Sequence, residues 1–422
     1  MRHHLDNGQM LVYNYSNDKV LLLTHELVDV LKSIEPNWDK ISEIHKDLYA
    51  SLVEQNFLLP DDFDEVRQVK EQIRGKLASH EVLRLTVNPT LDCNMRCWYC
   101  YESHTTGQFM SKETMQGIVS FVRMKSTEPS MRILALSFFG GEPLLRAHEI
   151  ALPLMRELVE VCTLNGKEAD VHFTTNGVLL TRHVVDEICS ISRRVGFQIP
   201  LDGNRTMHDK VKCTGKGSGT YDIVLKNIDY LQSKGLHVNI RCNYDEGNID
   251  SFTELVDDVA SFPNLQNGNV RFTLQRLWQC TASSKLQEKV EALRNYIADK
   301  GFSPDEYNMS VSPHCYADYD DSIVVNYNGD LFKCTARDFL HDNRIGELGK
   351  DGNIEYTPRA KLYRDFPFFK DCDECAILPV CSKCRQNRIE QLAERDYCKK
   401  YQDTEAERNL IYDRLNALYP KC

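Results

Sequence analysis

Residues 93–100 read Cys93-Asn94-Met95-Arg96-Cys97-Trp98-Tyr99-Cys100 and lie a few positions after the strand-like run Val82-Leu83-Arg84-Leu85-Thr86-Val87. A C-x3-C-x2-C frame on a loop leaving a strand can bring three thiolates to one point. Three thiolates leave a four-iron cubane one protein ligand short, so one iron stays open to another molecule. A structural zinc site wants four closed ligands, and a catalytic one commonly adds a His or a carboxylate beside an open position; this loop supplies neither. A disulfide reading fails on parity and on compartment. Inert core cysteines do not cluster at ligand spacing.

The rest of the composition agrees with metal ligation. The chain has 422 residues, 16 of them Cys, and a formal net charge of -11. That length gives room for a buried core and about three domains. The acidic balance argues against a general nucleic-acid binder. The start, Met1-Arg2-His3-His4-Leu5-Asp6, shows no apolar segment of signal-peptide or membrane length, so a reducing cytoplasm is expected and no membrane partner. Cysteines in that compartment read as metal ligands before disulfides.

Upstream of the loop, apolar runs at 10–15 and 20–23 flank Ser16-Asn17-Asp18-Lys19, a hairpin turn. Helical spacing follows in Leu27, Val30, Leu31 and Ile34 and again in Ile41, Ile44, Leu48 and Leu52, before a short run at 57–59 that reads as a closing strand stopped by Pro60. The acidic stretch from Asp61 through Lys76 reads as a solvated linker helix. Residues 1–80 thus form a candidate independent unit.

From Val82 onward, apolar runs at 83–87, 133–139, 171–174, 195–201, 238–242 and 270–274 alternate with amphipathic stretches. Six βα repeats imply an α/β class with a parallel sheet and right-handed crossovers. Sites in such barrels gather at the carboxyl ends of strands, where the cysteine loop leaves the first one. With Tyr99 as the aromatic before Cys100, this loop resembles that of radical S-adenosylmethionine (SAM) enzymes. The resemblance implies a partial (β/α)6 barrel over residues 81–277, with a cluster on Cys93, Cys97 and Cys100 whose open iron chelates SAM. It further implies SAM cleavage to a 5'-deoxyadenosyl radical. Later strand ends match in order. Gly140-Gly141-Glu142-Pro143 is similar to the GGEP motif that holds the SAM amino group, and Thr175-Asn176-Gly177 to a T-N-G motif. Leu201-Asp202-Gly203 with His208-Asp209 follows, although Pro200 stands where the family usually has serine. Arg241 and Asn243 alternate on one strand face, as do family residues that contact SAM. Tyr99, Gly140, Gly141, Glu142, Asn176 and Arg241 are the expected SAM-binding set.

Beyond Leu277 the βα pattern stops and cysteines return. Cys315 and Cys334 bracket a hairpin with its turn at Tyr327-Asn328-Gly329-Asp330, and Cys372, Cys375, Cys381, Cys384 and Cys398 follow. The four central cysteines alone fit zinc better than iron. In this chain the frame resembles the SPASM extension of radical SAM peptide maturases, which implies a domain at 278–422 with two auxiliary four-iron clusters. Cys372, Cys375, Cys381 and Cys398 would close one; Cys315, Cys334 and Cys384 would hold the other, with Cys280 or no residue as its last ligand. The order of elements in 1–80 is similar to winged-helix-like domains that recognise leader peptides, with a capping domain as the plain alternative.

The resemblance implies a cytoplasmic maturase with three 4Fe–4S clusters and SAM, acting on a ribosomally synthesised precursor peptide. It would install a cross-link, thioether or carbon–carbon, with electrons from a donor such as flavodoxin or ferredoxin. One alternative is an anaerobic sulfatase-maturating enzyme forming formylglycine, although Thr335 stands where those enzymes usually carry an aspartate base after Cys334. Another is a non-catalytic zinc or redox protein. The spacing selects no general base.

Overall fold

The computed structural model describes residues 2–4, 8–35, 37–102, 104–213, 217–266, 268–281, 283–304, 314–370, 372–373, 375, 377–381 and 383–391; Cys398 and Cys422 lie outside them. They fall into two compact units: one takes residues up to 78 with 314–315 and 367–391, the other 79–304 and 316–366.

In the first unit, β1 (Arg2–His4), β2 (Met10–Asn14) and β3 (Lys19–Leu23) form an antiparallel sheet in the order β1-β2-β3. Asn14 pairs with Lys19 across the expected turn, where Asp18 takes a left-handed φ of 60°. Met10 and Leu23 pack with Val28, Leu31, Ile34, Ile41, Leu48 and Leu52. Ile44 departs from the expected stripe and is 56% exposed. The helix breaks at His45, whose Nδ1 accepts the Leu48 N–H at 3.1 Å and caps the next helix, Lys46–Glu54. Residues 57–59 form no strand either. Asn56 turns left-handed, and the N–H groups of Phe57 and Leu58 both reach back to the Leu52 carbonyl at 2.7 and 3.2 Å, closing the helix rather than extending. The helix Glu65–Leu77, expected to be solvated, buries Val69, Ile73 and Leu77, four residues apart and so on one face. Tyr13 and Tyr15 pack against Ile377 and Val380, so the cysteine-rich segment shares this unit with the hairpin.

The second unit holds an eleven-stranded sheet. Its centre is β4 (Val82–Val87), β5 (Ile133–Phe138), β6 (Glu168–Thr174), β7 (Val195–Leu201), β8 (His237–Tyr244) and β9 (Val270–Arg276), all paired in parallel. Burial alternates strictly along β4, β5 and β7, which puts an apolar face into the core and leaves a half-buried face of mixed polar and apolar residues. Phe138, Phe173 and Phe197 stack across three strands at 4.8 and 5.6 Å. Pro200 is tolerated inside β7 because its pairing with β6 ends at Gln198, so no ladder bond to β6 needs its N–H.

The βα alternation runs further than the sequence pattern implied. The helix Ser284–Asp299 leads to β10 (Ser303–Pro304), parallel to β9, and β11 (Ser322–Val325) adds in parallel to the free edge of β4. From β11 an antiparallel meander continues through β12 (Asp330–Phe332), β13 (Gly346–Leu348) and β14 (Ile354–Tyr356). Residues 316–366 therefore belong with the sheet, whereas 367–391 belong with the amino-terminal unit. The reason is backbone pairing: a four-residue ladder from Ser322 to Val325 ties the hairpin to β4.

Candidate active site

The cysteine loop leaves the carboxyl end of β4 and is held by its own backbone and by the strand ends beside it. Asp92 Oδ1 accepts the Cys93 N–H at 2.8 Å, and Arg96 donates to the carbonyls of Cys93 and Met95. A turn closes with Cys100 N–H on the Cys97 carbonyl at 3.0 Å. The three cysteines are free thiols, Cys93 and Cys97 half-buried and Cys100 exposed.

Nitrogen donors are aimed at the sulfurs. Met95 N–H lies 3.4 Å from Cys93 Sγ, Asn176 Nδ2 lies 3.9 Å from it, and Lys212 Nζ lies 3.4 Å from Cys97 Sγ. Burial pushes the Cys93 thiol up to about 12, with the Glu142 carboxylate adding to the effect, and burial also raises Cys100. A buried thiol that resists ionising alone yet faces two N–H donors, as Cys93 does, suits a metal-bound thiolate, whose charge the metal offsets. With Cys97 facing the Lys212 ammonium and Cys100 on the same short loop, the residue types present fit thiolate ligation of a cluster.

The glycine turn after β5 lies directly on this loop. A Cβ on Gly140 would sit 2.3 Å from the Thr90 carbonyl oxygen, and one on Gly141 would sit 2.2 Å from that of Asp92. Gly140 also takes φ +105°, so both glycines are required for the approach. Gly141 and Glu142 donate their N–H groups to Thr90 and Asp92 at 3.1 and 2.9 Å. The Glu142 side chain turns inward and is fully buried, where it accepts from Leu144 N–H, Thr175 Oγ1 and Asn176 N–H at 3.1, 2.7 and 2.8 Å. Burial raises its carboxyl above the usual range against the pull of these donors. Asn176 in turn donates to Asn94 Oδ1 at 2.7 Å, which joins the turn after β6 to the cysteine loop.

A second network crosses the far side of the loop. Tyr99 donates its hydroxyl to Asp202 Oδ2 at 2.7 Å, and Asn243 Nδ2 reaches both Tyr99 Oη and Asp202 Oδ1 at 3.3 Å. Arg241 Nε donates to Asn243 Oδ1 at 3.0 Å, so the two alternate residues of β8 do share a face. Lys212, in the residue after the helix Arg205–Val211, places Nζ 3.6 Å from Asp202 Oδ2, with its side chain 4% exposed. Burial opposes its charge, yet Asp202, Tyr99 and Cys97 hold its pKa well above the lysine range. Burial raises the Tyr99 hydroxyl, and burial with the nearby ammonium holds His208 down to about 3. Sequence reasoning singled out His208 but missed Lys212. The available signal was its i,i+4 offset from His208, one helical turn on the same face.

Cys372, Cys375, Cys381 and Cys384 follow one another through tight turns in the first unit, Cys375 N–H to Cys372 carbonyl at 3.4 Å and Cys381 N–H to Leu378 carbonyl at 3.3 Å. The buried guanidinium of Arg388, also unforeseen, donates to Cys372 Sγ and Cys381 Sγ at 3.8 and 3.6 Å and lies 5.1 Å from the Phe368 ring centre. Cys315 falls in the first unit, while Cys334 and Cys280 fall in the second. Cys398 lies outside the described residues.

Comparison with known proteins follows the same lines. Residues 87–259 match the model of the Radical SAM superfamily. GTP 3',8-cyclase of Staphylococcus haemolyticus (strain JCSC1435) is 28% identical over 194 residues, 44% of this chain and 53% of that protein, so the chain spans about half the length of the relative. Among solved structures, native anSMEcpe with bound AdoMet and Kp18Cys peptide superposes with a TM-score of 0.58 at 15% identity, over 81% of this chain and 98% of that one. Streptococcus suis SuiB bound to precursor peptide SuiA superposes with a TM-score of 0.53 at 14% identity, over 96% and 100%. At these identities the two structures speak for the fold, and the family match covers the stretch that holds the cysteine loop and the strands β5 to β8. This chain carries a radical SAM domain.

Proposed function

We propose that the protein is a radical SAM maturase that abstracts hydrogen from a ribosomally made peptide and closes a cross-link in it. The observation that carries this reading is a fold shared over 96% of the chain with a structure holding a precursor peptide, joined to a loop with three thiols and N–H donors on two of its sulfurs, those of Cys93 and Cys97. Bound together, a four-iron cluster and SAM supply the one-electron, hydrogen-abstracting chemistry.

The chain's own residues hold, orient and shield. Cys93, Cys97 and Cys100 are the cluster ligands. Among the described residues no protein donor meets the carbonyls of Gly140 and Gly141, which suits them to the SAM amino group, while the Glu142 carboxylate, with three donors on it, holds the turn that presents them. Asn176 in the turn after β6, Tyr99 on the cysteine loop and Arg241 in β8 are assigned to SAM as well, Asn176 bonded to Asn94 of the loop and Arg241 linked to Tyr99 through Asn243. Cys372, Cys375 and Cys381, with Cys398, are assigned to an auxiliary cluster, and the amino-terminal hairpin and helices to peptide recognition. Tethering a leader there would raise the local concentration of a weakly held core peptide. Rigid placement and exclusion of water limit side reactions of a reactive intermediate.

The test is co-expression with a short open reading frame encoded beside the gene, followed by mass spectrometry of the peptide. Loss of one hydrogen pair per cross-link, with a deuterium label reporting the position, supports the reading. An unchanged mass with every such neighbour contradicts it.

A further inference from the structure

We propose that Lys212 sets the reduction potential of the radical-generating cluster by donating a charge-assisted hydrogen bond to the Cys97 thiolate, with Asp202 as the counter-charge that keeps the ammonium in place. This rests on the reading of Cys93, Cys97 and Cys100 as ligands of a four-iron cluster.

Lysine is almost never fully buried without a partner, and Lys212 is 3% exposed. Its ammonium has three neighbours of use: Asp202 Oδ2 at 3.6 Å, Cys97 Sγ at 3.4 Å and the face of Tyr99 at 5.3 Å from the ring centre. The pair with Asp202 alone would account for the burial. The contact with sulfur is additional, and it points at one of the three thiols of the cluster loop.

The backbone around the pair is fixed as well. His208, fully buried, accepts the Asp202 N–H on Nδ1 at 3.4 Å, so its Nε2 carries the proton and donates to Thr220 Oγ1 at 3.1 Å. The Thr220 hydroxyl donates to the Lys212 carbonyl at 2.6 Å, and Lys212 N–H returns to the His208 carbonyl at 2.7 Å. Asp202 and Lys212 are thus tied through one neutral imidazole. Such rigidity keeps the ammonium from relaxing toward solvent when the charge on the sulfur changes.

Reducing the cluster adds one electron, and so one negative charge, at these sulfurs. The electron comes from an external low-potential one-electron donor. A fixed cation at a ligand sulfur stabilises the reduced state more than the oxidised one, and hydrogen bonds to cluster sulfurs are a known lever on potential. The effect is strongest where the dielectric is low. Arginine at the same position can keep the charge and one N–H donor, whereas methionine keeps the apolar stem and removes both.

The experiment is an anaerobic redox titration of reconstituted full-length wild type, Lys212→Arg, Lys212→Met and the Lys212→Met/Asp202→Asn pair, with iron content measured for each. The electron paramagnetic resonance signal that SAM perturbs is followed, which separates this cluster from any other. Lys212→Met is expected to retain the cluster while its reduced-to-oxidised ratio at fixed potential falls about tenfold, about 59 mV for one electron. Lys212→Arg should stay near wild type. The double variant leaves no unpaired buried charge, so it carries the test if Lys212→Met does not fold, and it should titrate low as well. A wild-type midpoint in the methionine variants overturns the inference, as does a change in SAM affinity with no change in midpoint. Wild-type protein that takes up no cluster overturns the cluster reading and this inference with it.

Discussion

Asn176 donates its backbone N–H to Glu142 Oε2 at 2.8 Å, and this bond joins the turn after β5 to the turn after β6 beneath the cysteine loop. Two more donors, Thr175 Oγ1 and Leu144 N–H, converge on the same carboxylate. Glu142→Ala strands three interior donors, so the protein should lose on the order of 3 kcal/mol and its Tm should fall by several degrees. Glu142→Gln keeps the acceptor on one side and should recover part of that. Thermal unfolding followed by circular dichroism decides the matter, and an unchanged Tm in the alanine variant would show that the carboxylate is not a structural tie.

Gly141 faces the Asp92 carbonyl at a distance no side chain tolerates, 2.2 Å from a built Cβ, and the obstruction is backbone rather than a movable side chain. Gly141→Ala should displace the cysteine loop, and the iron taken up on reconstitution should drop by about one cubane per chain. Gly75, in the helix Glu65–Leu77 with nothing within 4 Å, is the control. Gly75→Ala should leave iron uptake intact and stabilise by about 0.5–1 kcal/mol. Equal iron in both variants would contradict the close approach.

His208 is held near 3 by burial and then by the Lys212 charge, against an ordinary value of 6.5. Between those values the unfolded chain binds the proton that the folded one refuses, so stability is fully present above pH 6.5 and drains as pH falls toward 3. From pH 7 to pH 5 this one group should cost on the order of 2 kcal/mol. Denaturant titrations at the two pH values should show a smaller difference in His208→Asn. An undiminished difference would place the acid sensitivity elsewhere.

Arg388 offers one guanidinium to two sulfurs, those of Cys372 and Cys381. On the proposed assignment of Cys372, Cys375 and Cys381 to an auxiliary cluster, Arg388→Met should lower iron binding there while SAM cleavage by the first cluster persists. Arg388→Lys should rescue poorly, because a single ammonium cannot reproduce the fork. Iron and acid-labile sulfide analysis, set beside 5'-deoxyadenosine yield, reads both sides, and a parallel loss of the two would contradict separate sites.

The six central strands were legible because each is a short apolar run bounded by turn residues, and the observed β7, Val195–Leu201, matches its run in full. The candidate site was read from the same runs: Cys93, Gly140, Glu142 and Asn176 each follow one, and Arg241 lies within the run that becomes β8. What stayed hidden depends on contacts distant in sequence. The pairing of Val324 with Thr86 has no local signature, so β11 could not be placed beside β4 from its residues alone. Residues 57–59 look like a strand by composition, yet a left-handed Asn56 decides otherwise. Lys212 resembles any surface lysine until Asp202 and Cys97, one ten residues away and the other more than a hundred, are seen to surround it.

The most direct measurement is the yield of 5'-deoxyadenosine from SAM when the reconstituted full-length protein is given a low-potential reductant under strict anoxia. A radical SAM site built on Cys93, Cys97 and Cys100 predicts an iron–sulfur spectrum and steady nucleoside formation in wild type, and no nucleoside from Cys97→Ala although iron persists elsewhere. Protein that binds zinc in place of iron, or that holds a reducible cluster and releases no 5'-deoxyadenosine, would contradict it.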